Sequence, residues 1–242
     1  MFVVRNLVVM SGKTRLINGL NLKILKNQTI VIFGPNGSGK STFLRSILGL
    51  SEVRIVGGEI FLDGKALVDE KISKISVSIG YMMQHPPSIQ GLSLASVMSE
   101  STKHLPTKYE KYVFTPFMKR DVNYNLSGGE RKLCELYQLY NRDNLKMLLL
   151  DEPDSGVDIE NIGIVADLIQ RIRDKNPGLI SIIVTHNGEI LNKIRVEKAY
   201  VMIEGEIICA GEAQKIYKTI RENGYSKCLK CKLINDNYGK KK

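Results

Sequence analysis

The sequence has no long apolar run. Its longest uninterrupted stretch is five residues, Ala199–Ile203, against the roughly 20 that a membrane-spanning helix requires, so a transmembrane subunit is excluded. Cysteine is scarce: Cys134, Cys209, Cys228 and Cys231 in 242 residues do not make a disulfide framework. The stretch MFVVRNLVV carries Arg5 among its apolar residues and has no small-residue cleavage site. It does not read as a secretory signal, and the expected compartment is the reducing cytoplasm. Repeats and low-complexity blocks are absent. What remains is an ordinary globular composition, 43% hydrophobic and 25% charged. The chain is long enough to bury a sizeable core as one domain, or one domain with an insert.

Acidic residues are outnumbered, 25 against 35 Lys and Arg, for a formal net charge of +10. Nucleic acid, anionic lipid and an acidic protein are all compatible with that sign, and it does not choose among them. Residues 227–242 hold six lysines against a single acid, Asp236. Half of the excess charge therefore sits in a terminal tail, which reads as solvated chain rather than as a nucleic-acid groove. Within it, Cys228 and Cys231 supply two of the four ligands that zinc or an iron–sulfur cluster normally needs, with no His nearby. Short of a site shared between two chains, they read as free thiols in a mobile tail.

Short β-branched runs broken by turn signals open the chain: Phe2–Val4, Leu7–Met10, Leu20–Ile24, Thr29–Phe33 and Glu59–Leu62, the last closed by Asp63-Gly64. Thr42–Gly49 reads as a helix behind a Gly-rich loop. From about Ser88 to Tyr140 strands are scarce, and Leu92–Met98 and Glu130–Tyr140 look helical. Met147–Leu150 and Ile180–Val184 are continuous apolar strands, joined by the helical spacing of Ile159–Ile172 that Pro177-Gly178 stops. Strand–helix–strand with continuous apolar strands implies a parallel sheet. Ala199–Ile203 and Glu206–Ala210 read as a hairpin about Glu204-Gly205. The coarse picture is an α/β core with an antiparallel start and a helical insert.

Gly34-Pro35-Asn36-Gly37-Ser38-Gly39-Lys40-Ser41-Thr42 matches G-x-x-x-x-G-K-[ST], between a strand and a helix. Glycines let successive backbone N–H groups converge on phosphate oxygens, and the helix N-terminus adds positive partial charge. Lys40 is then expected to reach the β- and γ-phosphates, Ser41 to ligate Mg²⁺, and the Thr42 N–H to join the cradle. Met147–Leu150 delivers Asp151 and Glu152 at a strand's C-terminal end, where open parallel sheets bind ligands. Asp151 is expected to hold Mg²⁺ through water and Glu152 to orient or deprotonate the attacking water. Leu126-Ser127-Gly128-Gly129-Glu130 opens another helix. Ser127 can simply cap it, but a second Gly-Gly helix N-terminus is also an anion site, which makes sense if two chains meet head to tail.

In this order, with Gln84 between the lobes, Ser155-Gly156-Val157-Asp158 after the acids and His186 at a strand end, the sequence resembles the ATP-binding-cassette (ABC) ATPase family over nearly its whole length. The resemblance implies a P-loop NTPase fold with a parallel core sheet, an antiparallel β-subdomain and an inserted helical subdomain. It assigns 1–242 to one ATP-binding domain, with the helical insert at 85–140 and the basic tail at 227–242. It also implies that Gln84 touches Mg²⁺ and the attacking water, and that Ser127, Gly128, Gly129 and Glu130 form a signature, Ser127 and Gly129 contacting the opposite subunit's γ-phosphate. Asp158 then crosses the dimer interface, and His186 senses the γ-phosphate.

Within that family, Asp151-Glu152-Pro153-Asp154-Ser155-Gly156-Val157-Asp158-Ile159-Glu160 resembles SufC, the ATPase of SUF iron–sulfur cluster assembly. So do Gln84–Gly91, Ser127–Lys132 with Glu135-Leu136, and Glu222–Tyr225. Transporter ATPases usually carry Thr where Asp154 stands. Cys134 occupies a place where a polar residue is expected, the insert from Gln84 to Ser127 is short, and the basic tail is an addition. The implied function is an ATPase with Mg²⁺ that forms an ATP-dependent homodimer and serves a soluble SufB/SufD-type scaffold, without membrane insertion. The alternatives are the ATPase subunit of a membrane transporter and, from charge alone, a nucleotide-gated DNA-binding module. No aromatic residue stands in Leu7–Leu16 to stack on adenine. Met10 or Leu16 could offer an apolar face, or both could be core residues of a strand.

Overall fold

The computed structural model describes residues 1–68, 70–98 and 115–229. Its strands are β1 (Phe2–Ser11), β2 (Thr14–Ile24), β3 (Thr29–Phe33), β4 (Arg54–Leu62), β5 (Lys65–Ala66), β6 (Ile79–Met82), β7 (Ile89–Ser93), β8 (Asp121–Val122), β9 (Met147–Asp151), β10 (Ile180–Val184), β11 (Lys198–Ile203) and β12 (Glu206–Gly211). Its helices are α1 (Lys40–Leu48), α2 (Ile72–Ser78), α3 (Leu94–Met98), α4 (Thr115–Met118), α5 (Gly128–Tyr140), α6 (Ile159–Lys175) and α7 (Ala213–Asn223). None of the helices among the described residues is long and apolar enough to cross a membrane.

The central sheet runs β12-β11-β3-β10-β9-β6. It is parallel from β11 to β6, with β12 added antiparallel. Every residue of β3, β9 and β10 is buried, which is why these strands are apolar without alternation. Their alternate residues still divide between two cores. Val31, Phe33, Leu148, Leu150 and Ile183 face the helical layer of α5 and α6. Ile30, Ile32, Met147, Leu149 and Ile182 face α1 and the antiparallel sheet.

That second sheet has the order β2-β1-β4-β5. The two N-terminal runs expected from the sequence are one strand, β1, with a shift in register between Val4 and Leu7. Asn6 takes φ 46° there, opposite Gly58 at φ 83°, a bulge that puts Leu7 back on the core face. A side chain at Gly58 would collide with the Arg5 and Asn6 carbonyls.

Three expectations need correction. Leu92 and Ser93 belong to strand β7, which pairs with β8, so the helix begins only at Leu94 and the insert is not purely helical. β6, the parallel edge strand, is not foreseen because Ile79–Met82 lacks strong β-branching. Cys228 is not in a mobile tail: it is 1% exposed in the helical-side core, beside Tyr225, because the chain turns back after Gly224. Cys231 and the lysines beyond it lie outside the described residues. Cys134, 1% exposed, is a core residue, and burial pushes its thiol up to about 12; an apolar site explains why no polar residue stands there.

Candidate active site

The phosphate loop follows β3 and ends on α1. Gly39, the N-cap of α1, sits at φ 99°, and a Cβ there would come within 2.8 Å of the Leu16 carbonyl. Only glycine permits that backbone and that approach. The hairpin β11–β12 clamps the loop from the other side, its Gly205 N–H donating to the Ser38 carbonyl at 2.9 Å. Lys40 lies folded into the loop, its ammonium donating to the carbonyls of Gly34 at 2.7 Å and Pro35 at 2.9 Å. Burial lowers its pKa, and the charges of Glu152 and Asp151 work against that shift.

β9 brings Asp151 alongside. Its Oδ1 accepts from the Ser41 hydroxyl at 3.0 Å and its Oδ2 from Tyr81 at 3.4 Å. Burial raises the carboxyl's pKa, and the Ser41 bond partly offsets this. Two hard oxygens from the phosphate loop and a buried acid, 3.0 Å apart, fit a small divalent cation such as Mg²⁺.

Glu152 turns off the strand at φ 52°, a conformation that non-glycine residues rarely hold without support. Support comes from its own N–H, which donates to Val184 O at 2.8 Å. Its carboxylate is engaged on both sides: Gln84 Nε2 donates to Oε2 at 2.8 Å, and His186 Nδ1 lies 2.9 Å from Oε1. Gln84 follows β6, Glu152 follows β9 and His186 follows β10, so three adjacent strand ends deliver the three side chains. A cleft of about 460 Å³ is lined by Asn36–Thr42 with Leu16, Gln84, Glu152, Ser155 and His186. Phosphate donors, a cation site and a carboxylate beside an open cleft suit transfer of a phosphoryl group to water.

Met10 is not among the lining residues, whereas Leu16 is. Nor does the structure bring Ser127, Gly128, Gly129, Glu130 or Asp158 into this cleft. Ser127 caps α5 in a capping box with Glu130, at 3.3 Å and 2.7 Å. Ser127, Gly128 and Asp158 are exposed. A Cβ at Gly128 would lie 3.3 Å from Gly156 O, so the glycine lets this helix end close on the loop after the acids.

Sequence reasoning missed three contributors. Tyr81 requires knowing that β6 neighbours β9. Lys132, 4% exposed, donates from α5 to the carbonyls of Met83, Gln84 and Asp151 at 3.0, 3.1 and 3.3 Å; a lysine among the buried positions of α5 was the available signal. Thr185, wholly buried, hydrogen-bonds Asp154 at 2.8 Å.

The family model described as ABC transporter matches residues 17–155. A probable ABC transporter ATP-binding protein of Streptococcus pyogenes is 30% identical over 92% of this chain and 93% of its own. A probable ATP-dependent transporter, ycf16, of Cyanidium caldarium is 28% identical over 91% of this chain and 96% of its own. Among solved structures, an ATP-binding cassette of an ABC transporter in its ADP conformation superposes with TM-score 0.72 at 22% identity, covering 96% of this chain and 98% of that one. A dimeric post-hydrolysis cassette bound to ADP and Pi gives 0.71 at 19% identity, covering 88% and 99%. With the cleft and its carboxylates in place, the matches leave one conclusion: the chain belongs to the ABC transporter family, as an ATP-binding cassette that hydrolyses ATP with Mg²⁺.

Proposed function

We propose that this cassette is the ATPase subunit of a cytoplasmic SufBCD-type iron–sulfur cluster assembly complex, working by ATP-driven head-to-tail dimerisation. The observation that carries the reading is Asp154. It departs from the Thr usual in transporter ATPases, and here it is a buried carboxylate, 3% exposed, bonded to Thr185. In this reading residues 34–42 bind the phosphates, with Lys40 on the β- and γ-groups. Ser41, Asp151 and Gln84 would hold Mg²⁺, partly through water, and the ion would supply charge neutralisation. Glu152 promotes attack by water, and Gln84 and His186 hold its carboxylate. Ser127–Glu130 and Asp158 lie outside the cleft, with Ser127, Gly128 and Asp158 exposed, and act on the site of the opposite subunit, giving a two-fold interface. Loss of the γ-phosphate then releases the dimer.

Partner docking is assigned to the surface about Gln84–Gly91, where Ile89, Leu92 and Tyr124 are 44, 36 and 38% exposed. Asn123 Nδ2 donates to Pro87 O at 3.0 Å and Ser88 Oγ to Asn123 O at 2.7 Å, which stiffens this surface beside Gln84. Partner contact and ATP occupancy are then reciprocally coupled. The test is an ATPase titration with a purified SufB/SufD-type scaffold, beside a pull-down, without lipid or detergent. We expect a rise of about fivefold or more. Copurification only with a multi-spanning permease would replace this reading by transport, which the names of the Streptococcus and ycf16 relatives favour.

A further inference from the structure

We propose that Asp154 is a positioning residue for His186, its carboxylate fixing the loop that presents the imidazole to Glu152. Asp154 Oδ1 accepts from the Thr185 hydroxyl at 2.8 Å, and Oδ2 from the Ile190 N–H at 3.5 Å. The Thr185 oxygen in turn accepts from the N–H groups of Asn187 and Gly188, both at 3.1 Å. One carboxylate therefore organises the backbone from 185 to 190, and His186 stands inside that span. A buried carboxylate is costly unless its oxygens are bonded, and here both are.

The imidazole itself needs this help. Its side chain is 36% exposed, so packing alone does not orient it. Its recorded bond is to Glu152 Oε1 at 2.9 Å. Asp154 is two residues beyond Glu152, so one turn grips the loop twice: Glu152 through the ring, Asp154 through the backbone beneath it. Threonine at 154 offers a single hydroxyl oxygen and cannot receive Thr185 and Ile190 through two separate acceptors. This inference rests on the role given above to His186, but the tether can be read apart from it.

The chain has three histidines, His85, His104 and His186, so their ring protons can be resolved by NMR and the third assigned with His186→Ala. In the full-length protein, Asp154→Asn should shift or broaden the His186 resonance and leave the other two in place. In steady-state hydrolysis of Mg-ATP it should lower kcat about tenfold with KM changed less than about twofold. In a His186→Ala background the same replacement should cost less than about twofold, because the two act as a unit. An unmoved His186 resonance, or losses that multiply in the double variant, would overturn the proposal. If Asp154→Asn does not fold, Thr185→Ser, which keeps the hydroxyl, should preserve the His186 resonance and Thr185→Val should move it; equal spectra overturn the tether. A fully active His186→Ala protein would overturn the role of His186 instead, with the NMR result still deciding the tether.

Discussion

Lys40 concentrates the chemistry of the phosphate loop in one ammonium, 5% exposed and held by two loop carbonyls. Phosphate oxygens compete for a cation already desolvated, and a charge in that setting is worth more than at the surface. Lys40→Ala should therefore abolish hydrolysis, a fall of at least about 10²-fold in phosphate release; a purified variant with full turnover would remove the loop from the site. Residues of this kind were legible in the sequence because residue type and strand–helix context suffice to name them. The acids Asp151 and Glu152 needed the phosphate loop as company, since Asp-Glu after a strand is otherwise a plain turn. Tyr81 and Thr185 were not legible, because each acts through a neighbour that only the sheet order supplies, and Lys132 showed itself only as a lysine among buried helix positions.

Helix α5 is buried over most of its surface, and it carries Lys132 and Glu135 inward on one face. Periodicity could not show this, because such a helix offers little polar stripe to read. Burial pushes the Glu135 carboxyl up to about 7, against the pull of Lys132 and a backbone hydrogen bond at Met83. Its Oε2 has no hydrogen-bond partner among the described residues. A carboxyl whose pKa is raised in the folded state stabilises fully below its unfolded value, near 4.5, and that contribution is lost as pH climbs to about 7. Across this window the wild type should lose on the order of 1–3 kcal/mol relative to Glu135→Gln, read from urea unfolding at pH 5 and pH 8. A difference that does not vary with pH would contradict the assignment. Helix α7 makes a second element-scale demand. Tyr217 stacks on Phe33 at 6.0 Å between centroids, and a Cβ at Gly188, where φ is 70°, would meet those rings at 2.7 and 2.8 Å. Gly188→Ala should destabilise by about 2–4 kcal/mol, through overpacking and backbone strain together, and a thermal melt within a degree or two of wild type would count against it.

For the whole molecule, the decisive question is whether two copies share the nucleotide as proposed. Glu152→Gln keeps the shape of the side chain and removes its charge, so with Mg-ATP it should elute from size exclusion as a dimer and without nucleotide as a monomer. A variant that stays monomeric at high concentration would argue against head-to-tail dimerisation. Substitutions at Pro86 or Pro87 should weaken stimulation by the scaffold while ATP binding stays within about twofold, as measured by titration of each variant. The parallel core at this scale was legible from β9, α6 and β10, whose apolar runs and stop signals agree. The mixed character of the insert was not, since β7 and β8 are short, and in β7 four of five residues are exposed. The sheet order has a further consequence for how the protein comes into being. β3 lies between β10 and β11, with Thr29 opposite Ser181 and Ile30 opposite Lys198. On the ribosome the phosphate loop emerges before the strands that must flank it, earlier by on the order of ten seconds at ordinary synthesis rates. The nascent chain thus holds its nucleotide-binding segment without its walls until β10 and β11 have been made, so the ordered site waits on strands far along the chain.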